Sequence, residues 1–250
     1  MSRLSWLITT IVIAAALSLA GPPATAQSRS NPVMDQMIQA LGGPAFVDVK
    51  EIQTGGRFFA FTKGELSGSD IFADYIKFPD MERTEFGFGK NKSITINRGT
   101  EGWKIEPKEK EPQPMPVKAG EEFLANFKTS FDYVLRFVVK QPQTTIQSLS
   151  SEIIDFKRTD VVELRDPAKN RIRFYVDRET KLPVKMQIRR SDETKLNEEQ
   201  YGNWHKFQGV MTPLFVGRYK DGVKIMEIRA ETAAYNSGLS DNLFSPPATK

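Results

Sequence analysis

The chain has no cysteine and a single histidine, His205, among its 250 residues. Without thiols there is no disulfide, no zinc–thiolate centre, no thiol nucleophile and no lipidated N-terminal cysteine. One imidazole cannot make a histidine-rich metal site, and the usual nucleophile–base pairs could be assembled only around His205. Neither G-x-S-x-G, H-E-x-x-H nor a Walker loop is present, and the "GFGKNK" run from Gly87 lacks the third glycine of a dinucleotide fingerprint. Charge of one sign is scarce as well. With 35 Lys and Arg against 31 Asp and Glu, the formal charge is +4, too slight to imply a nucleic acid partner. These absences predict a protein without catalysis, cofactor or metal. Carboxylate-only chemistry stays open because acids are plentiful, but no pair stands out from surface charge.

Long apolar runs are missing too, apart from residues 7–20, "LITTIVIAAALSLA", which follow Arg3 and precede Gly21-Pro22-Pro23 and Ala24-Thr25-Ala26. Fourteen residues fall short of the roughly 18–20 that a membrane span needs. The order of charge, apolar run and small residues predicts a secretory signal peptide over residues 1–26, cleaved after Ala26. Removal of Arg3 would leave 34 basic against 31 acidic residues, or +3. The expected product is a soluble periplasmic protein, not stably inserted in a membrane, with residues 27–250 forming one domain.

What the sequence does have is aromatic residues on strands. Asn31-Pro32 reads as a helix start, with Val33, Met34, Met37, Ile38 and Leu41 at helical spacing until Gly42-Gly43. Extended segments follow from Val49 to Glu106, carrying Phe59 and Phe61 on one strand, Phe72, Ile76 and Phe78 on the next, then Phe86 and Phe88. Residues 107–118, "PKEKEPQPMPVK", read as an exposed proline-rich connection. Phe123, Phe127, Phe131, Val134 and Val138 then form the apolar stripe of one long amphipathic helix over 119–140. From about Glu152 strands return, among them "RIRFYVD" and a hairpin at Asp221-Gly222. Such short turns demand antiparallel neighbours. The fold class expected is mainly β (α+β): a large curved antiparallel sheet of about 10–11 strands, with an N-terminal helix and a mid-chain helical lid. His205 would then be a structural strand residue, with Tyr201 on its face and Trp204 on the other.

The leading helix, the strands ending in "KFPDMER", the segment Gly102-Trp103-Lys104-Ile105-Glu106-Pro107, the mid-chain helix, the meander with "RFYVDRETKLPVKM" and the closing "LFSPP" from Leu243 resemble the LolA-like superfamily of periplasmic outer-membrane lipoprotein carriers. That resemblance implies an unclosed β-barrel whose concave apolar face is covered by helices and takes up lipoprotein acyl chains. It also implies partners, an inner-membrane release complex and an outer-membrane receptor. The carriers have an arginine directly before the proline that corresponds to Pro79, where it latches the lid, and an aromatic three residues after it. Here those positions hold Phe78 and Glu82, so Phe78 and Arg83 become the latch candidates.

The apolar lining expected from these readings is Phe59, Phe61, Phe72, Ile76, Phe86, Phe88, Trp103, Phe123, Phe127 and Phe131. The function expected is a carrier for acyl chains or another lipid. An envelope-stress sensor or protein-interaction module on the same fold is the alternative, and a hydrolase centred on carboxylates or His205 is the third reading.

Overall fold

The computed structural model describes residues 31–107, 109 and 111–247. The signal peptide expected over residues 1–26, with its cleavage after Ala26, lies outside the described residues. The first helix, α1 (Pro32–Leu41), is fixed at its start by Asn31, whose side-chain oxygen accepts from the Val33 and Met34 amides at 3.1 and 3.2 Å. Its apolar stripe buries Met34, Met37 and Leu41. A single turn, α2 (Pro44–Val47), adds Phe46 to the same core.

Thirteen antiparallel strands follow in two meanders. The first comprises β1 (Glu51–Thr62), β2 (Glu65–Lys77), β3 (Met81–Phe86), β4 (Ser93–Arg98), β5 (Glu101–Ile105) and β6 (Gln113–Pro114). The second comprises β7 (Thr145–Ile154), β8 (Lys157–Arg165), β9 (Arg171–Asp177), β10 (Pro183–Arg189), β11 (Asn197–Phe207), β12 (Val210–Lys220) and β13 (Val223–Tyr235). They join through β1 and β13, giving the order β6-β5-β4-β3-β2-β1-β13-β12-β11-β10-β9-β8-β7. This seam runs from Ile52 opposite Tyr235 to Ala60 opposite Met226. A Cβ at Gly56 would stand 2.2 Å from the Arg229 carbonyl oxygen, so glycine is required where the register shifts between Gly55 and Gly56. Strands β6 and β7 end the order without pairing to each other, so the barrel is unclosed.

Two features differ from the sequence expectation. The strand count is 13 because β6, only two residues long and ending in proline, and β7, polar on both faces, lack a readable alternation. The expected single helix over 119–140 is two helices, α3 (Val117–Lys128) and α4 (Phe131–Arg136), followed by a 3₁₀ turn at Val138–Lys140. Ser130 starts α4 by accepting from the Tyr133 amide, while the buried Thr129 hydroxyl donates back to the Ala125 carbonyl at 3.0 Å. The polar pair therefore breaks a stripe that apolar spacing alone would continue.

The dry core lies under the second meander. Helices α1, α2 and α4 pack Met34, Met37, Leu41, Phe46, Val134 and Leu135 against Val162, Leu164, Ile172, Phe174 and Met186. Helix α3 crosses the first meander instead, seated at Gly120, where a Cβ would stand 1.9 Å from the Thr100 carbonyl oxygen. Apart from Gly120, its one buried side chain is Phe127.

Candidate ligand cavity

Beneath α3 the concave face is hollow. A cavity of about 660 Å³ is walled by β1–β4 on one side, by β11–β13 on the other and by the two lid helices above. This is within the roughly 300–1,000 Å³ of small-molecule sites. The alternation of side chains along each strand selects what reaches it. Strand β1 presents Ile52, Thr54 and Phe58; β2 presents Phe72, Asp74 and Ile76; β3 presents Glu82, Thr84 and Phe86; β4 presents Thr95 and Asn97. From above come Phe123, Phe127 and Phe131.

The structure thus brings Phe72, Ile76, Phe86, Phe123, Phe127 and Phe131 together around one space. Four other residues expected in the lining stand elsewhere. Phe59 and Phe61 have the opposite parity from Phe58, and the Arg229 guanidinium and the Lys224 ammonium lie 5.4 and 4.8 Å from their ring centres. Phe88 is 80 % exposed just beyond β3. Trp103 pairs across β4 with Ile96 and across β6 with Pro114 and does not reach the cavity. Phe58 takes the place on β1, its ring 4.9 Å from that of Phe86. The run Phe58-Phe59-Ala60-Phe61 offers aromatics on both faces, so sequence periodicity could not choose between them.

At the latch position, Phe78 does meet the lid: its ring centre is 5.8 Å from Phe127 and 5.3 Å from Phe137. Arg83 does not, because it lies on the outer face of β3, donating to Glu85 at 2.7 Å and to the Leu243 carbonyl at 3.3 Å. The arginine at this contact comes from the lid itself. Arg136 is 1 % exposed, its guanidinium carbon 3.9 Å from the Phe46 ring centre and 5.5 Å from that of Phe78. Its Nε donates to the Phe46 carbonyl at 3.0 Å, and its Nη1 pairs with Asp132 one turn earlier. Sequence reasoning missed Arg136 because a basic residue at a helix end ordinarily faces water.

The cavity is not uniformly apolar. Asp74 accepts from the Thr84 hydroxyl at 2.7 Å, and burial pushes its carboxyl up to about 6 against the pull of Thr84 and Arg218. Burial, then the charge of Asp74, pushes Glu82 up to about 8, with Arg218 opposing. Across the space, Arg218 Nε stands 2.8 Å from Glu199 Oε1, and the Tyr201 hydroxyl donates to Glu199 Oε2 at 2.6 Å. The Arg218 side chain is 43 % open and lines the cavity.

His205 is exposed on β11, its Nε2 3.0 Å from Asn203 Oδ1. No group of three or more metal-binding side chains occurs among the described residues. The expected opposition of Tyr201 and Trp204 does not occur. Both pack inward with ring centres 6.1 Å apart, because Asn203 between them has φ 52° and breaks the strand alternation. None of the described helices is long and apolar enough to cross a membrane.

Neither a family model nor a curated protein matches the sequence. Solved structures do match the fold. A DUF1329 family protein from Desulfovibrio piger superposes with a TM-score of 0.59 at 15 % identity, over 85 % of this chain and 95 % of that one. A domain assigned to outer membrane lipoprotein sorting from Vibrio parahaemolyticus gives 0.55 at 11 %, over 85 % and 94 %. A LolA superfamily protein from Nitrosomonas europaea gives 0.52 at 14 %, over 85 % and 96 %. Identity this low speaks to architecture, and on that architecture the chain has the LolA-like fold.

Proposed function

We propose that the protein is a non-catalytic carrier that takes the apolar part of a lipid, a lipoprotein acyl chain or another lipid tail, into the cavity beneath α3. The observation that carries this reading is the cavity itself, about 660 Å³ lined by phenylalanines from strands β1–β3 and from the lid. A sixteen-carbon chain leaving a membrane gives up on the order of 10 kcal/mol at ~0.8 kcal/mol per methylene. Only an enclosed apolar lining offsets that, and phenylalanine rings supply it with few polar demands. Helix α3 suits a lid, since it buries one side chain besides Gly120 and is joined to the sheet through the proline-rich 107–116 connection. The setting for this work is the periplasm, after cleavage at Ala26. The partners would be an inner-membrane complex that loads the carrier and an outer-membrane receptor that unloads it.

Uptake of the neutral fluorescent probe N-phenyl-1-naphthylamine tests the reading, together with native mass spectrometry of protein taken from its own cells. Wild type should bind one probe and carry a lipid-sized adduct. Thr54→Trp, which fills the cavity from β1, should lose both. Absence of adduct and of probe uptake in wild type would contradict it.

A second reading, an interaction module of the cell envelope, draws on the apolar side chains left exposed at hairpin ends, Leu66, Phe88, Phe156 and Val223. Under that reading Phe88→Ser and Phe156→Ser would abolish a protein complex while probe uptake stays intact.

A further inference from the structure

The carrier reading explains the phenylalanines but not the carboxyls beneath them. Three of the cavity's acids, Asp74, Glu82 and Glu199, face Arg218, while the other cavity cation, Lys220, is paired with Glu193 at 2.6 Å. The ion pair of Arg218 is with Glu199, which also accepts the Tyr201 hydroxyl. Asp74 has only the neutral Thr84 hydroxyl and its neighbouring backbone amide, and Glu82 has no hydrogen bond or salt bridge among the described residues. Asn97 stands directly across from Glu82 in the β3–β4 register. It is 5 % exposed, lines the same cavity, and its amide oxygen has no hydrogen-bond partner. A buried acceptor left unpaired is destabilising, so its retention asks for an explanation. On this wall Asn97 leaves an acceptor unmet and neither Asp74 nor Glu82 has an ion pair, so a donor carrying positive charge would answer all three.

We propose that this wall is a headgroup subsite, and that the ligand is an amphiphile whose polar end is a protonated amine, seated between Asp74 and Glu82 with Asn97 accepting one of its N–H groups. The inference rests on the carrier reading and names the class of molecule carried. Burial disfavours charge on Asp74 and Glu82, and at Glu82 the charge of Asp74 adds to it, so an ammonium group between them answers both costs. Phe72 and Phe86 border the same cavity, and aromatic rings attract cations. An anionic headgroup would instead have to displace Glu199 from Arg218, or Glu193 from Lys220, while facing further carboxyls.

Three amphiphiles of equal chain length separate the possibilities: dodecylamine, dodecanol and dodecanoate, each displacing N-phenyl-1-naphthylamine at pH 7 below its micellar concentration. Wild type should bind the amine about tenfold or more tighter than the alcohol, as charge-assisted hydrogen bonds imply. In the Asp74→Asn, Glu82→Gln double variant the amine-to-alcohol affinity ratio should fall to about one, with displaceable N-phenyl-1-naphthylamine uptake showing that the cavity is still open. Equal binding of amine and alcohol, tightest binding of dodecanoate, or an amine preference that survives the double substitution would overturn the inference and leave the carrier reading standing. Failure of all three to displace the probe from wild type would overturn both.

Discussion

Strands β8–β10 and strands β1–β3 belong to one sheet and curve over the same interior, yet they meet it differently. Under β8–β10 the inward rows are Val162 and Leu164, Ile172 and Phe174, Met186 and Ile188, all apolar and covered by α1, α2 and α4. Under β1–β3 the inward rows are Thr54 and Phe58, then Phe72, Asp74 and Ile76, then Glu82, Thr84 and Phe86. A helix laid tightly on those mixed rows would bury carboxyls without partners, at several kcal/mol each. The polar residues therefore keep the lid from collapsing onto the sheet. One half of the barrel is built for stability and the other for occupancy.

The largest test of that contrast is a pair of truncations. Phe174→Ala should cost ~3–5 kcal/mol, as deletion of a fully packed aromatic does, whereas Phe72→Ala should cost ~1 kcal/mol because a cavity already adjoins it. Equal costs in denaturant unfolding would erase the distinction. Next comes the clasp between lid and packed half: Arg136→Ala leaves the Phe46 carbonyl and Asp132 without their partner and should destabilise by about 3 kcal/mol. A loss below about 1 kcal/mol would show the buried guanidinium to be dispensable.

A smaller effect separates the halves by pH. The Glu82 carboxyl is raised in the folded state from 4.5 to about 8, so the native state holds a proton there that the unfolded chain releases. Its stabilising contribution is complete below about pH 4.5 and is lost as pH climbs through about 8. Glu82→Gln should remove this slope and gain on the order of 2 kcal/mol over wild type at pH 8, read from unfolding curves at pH 5 and 8. A wild-type curve parallel to that of the variant would mean that Glu82 is not held in a dry setting. Smallest of all, Phe88→Ala should change stability by less than about 0.5 kcal/mol and leave probe uptake unaltered, since the ring is outside the cavity.

The packed half was the legible half in the sequence. Strands β9 and β10 alternate cleanly, and the Asp221-Gly222 turn adopts positive φ at both residues, 49° and 77°, as a two-residue hairpin requires. The large curved antiparallel sheet followed from that regularity, and the unclosed barrel from the family resemblance. The hollow half resisted because its wall breaks the rule that apolar residues face inward. Asp74 shows in the sequence only as an interruption of the Phe72–Ile76 face, Glu82 looks like a solvent-facing residue, and the inward Phe58 is hidden beside Phe59 and Phe61. Nothing in local spacing marks Arg218 and Glu199, which lie directly across from each other on β11 and β12, as facing inward. Local patterning fails where a site replaces a core.

Hydrogen exchange with and without saturating dodecanol tests the division most directly, because it reports both halves in one experiment. Ligand should slow exchange in β1–β3 and α3, where the occupied cavity would hold the lid down, and leave β8–β10 unchanged. Unaltered exchange in β1–β3 and α3 under saturation, or equal slowing across both meanders, would contradict the account.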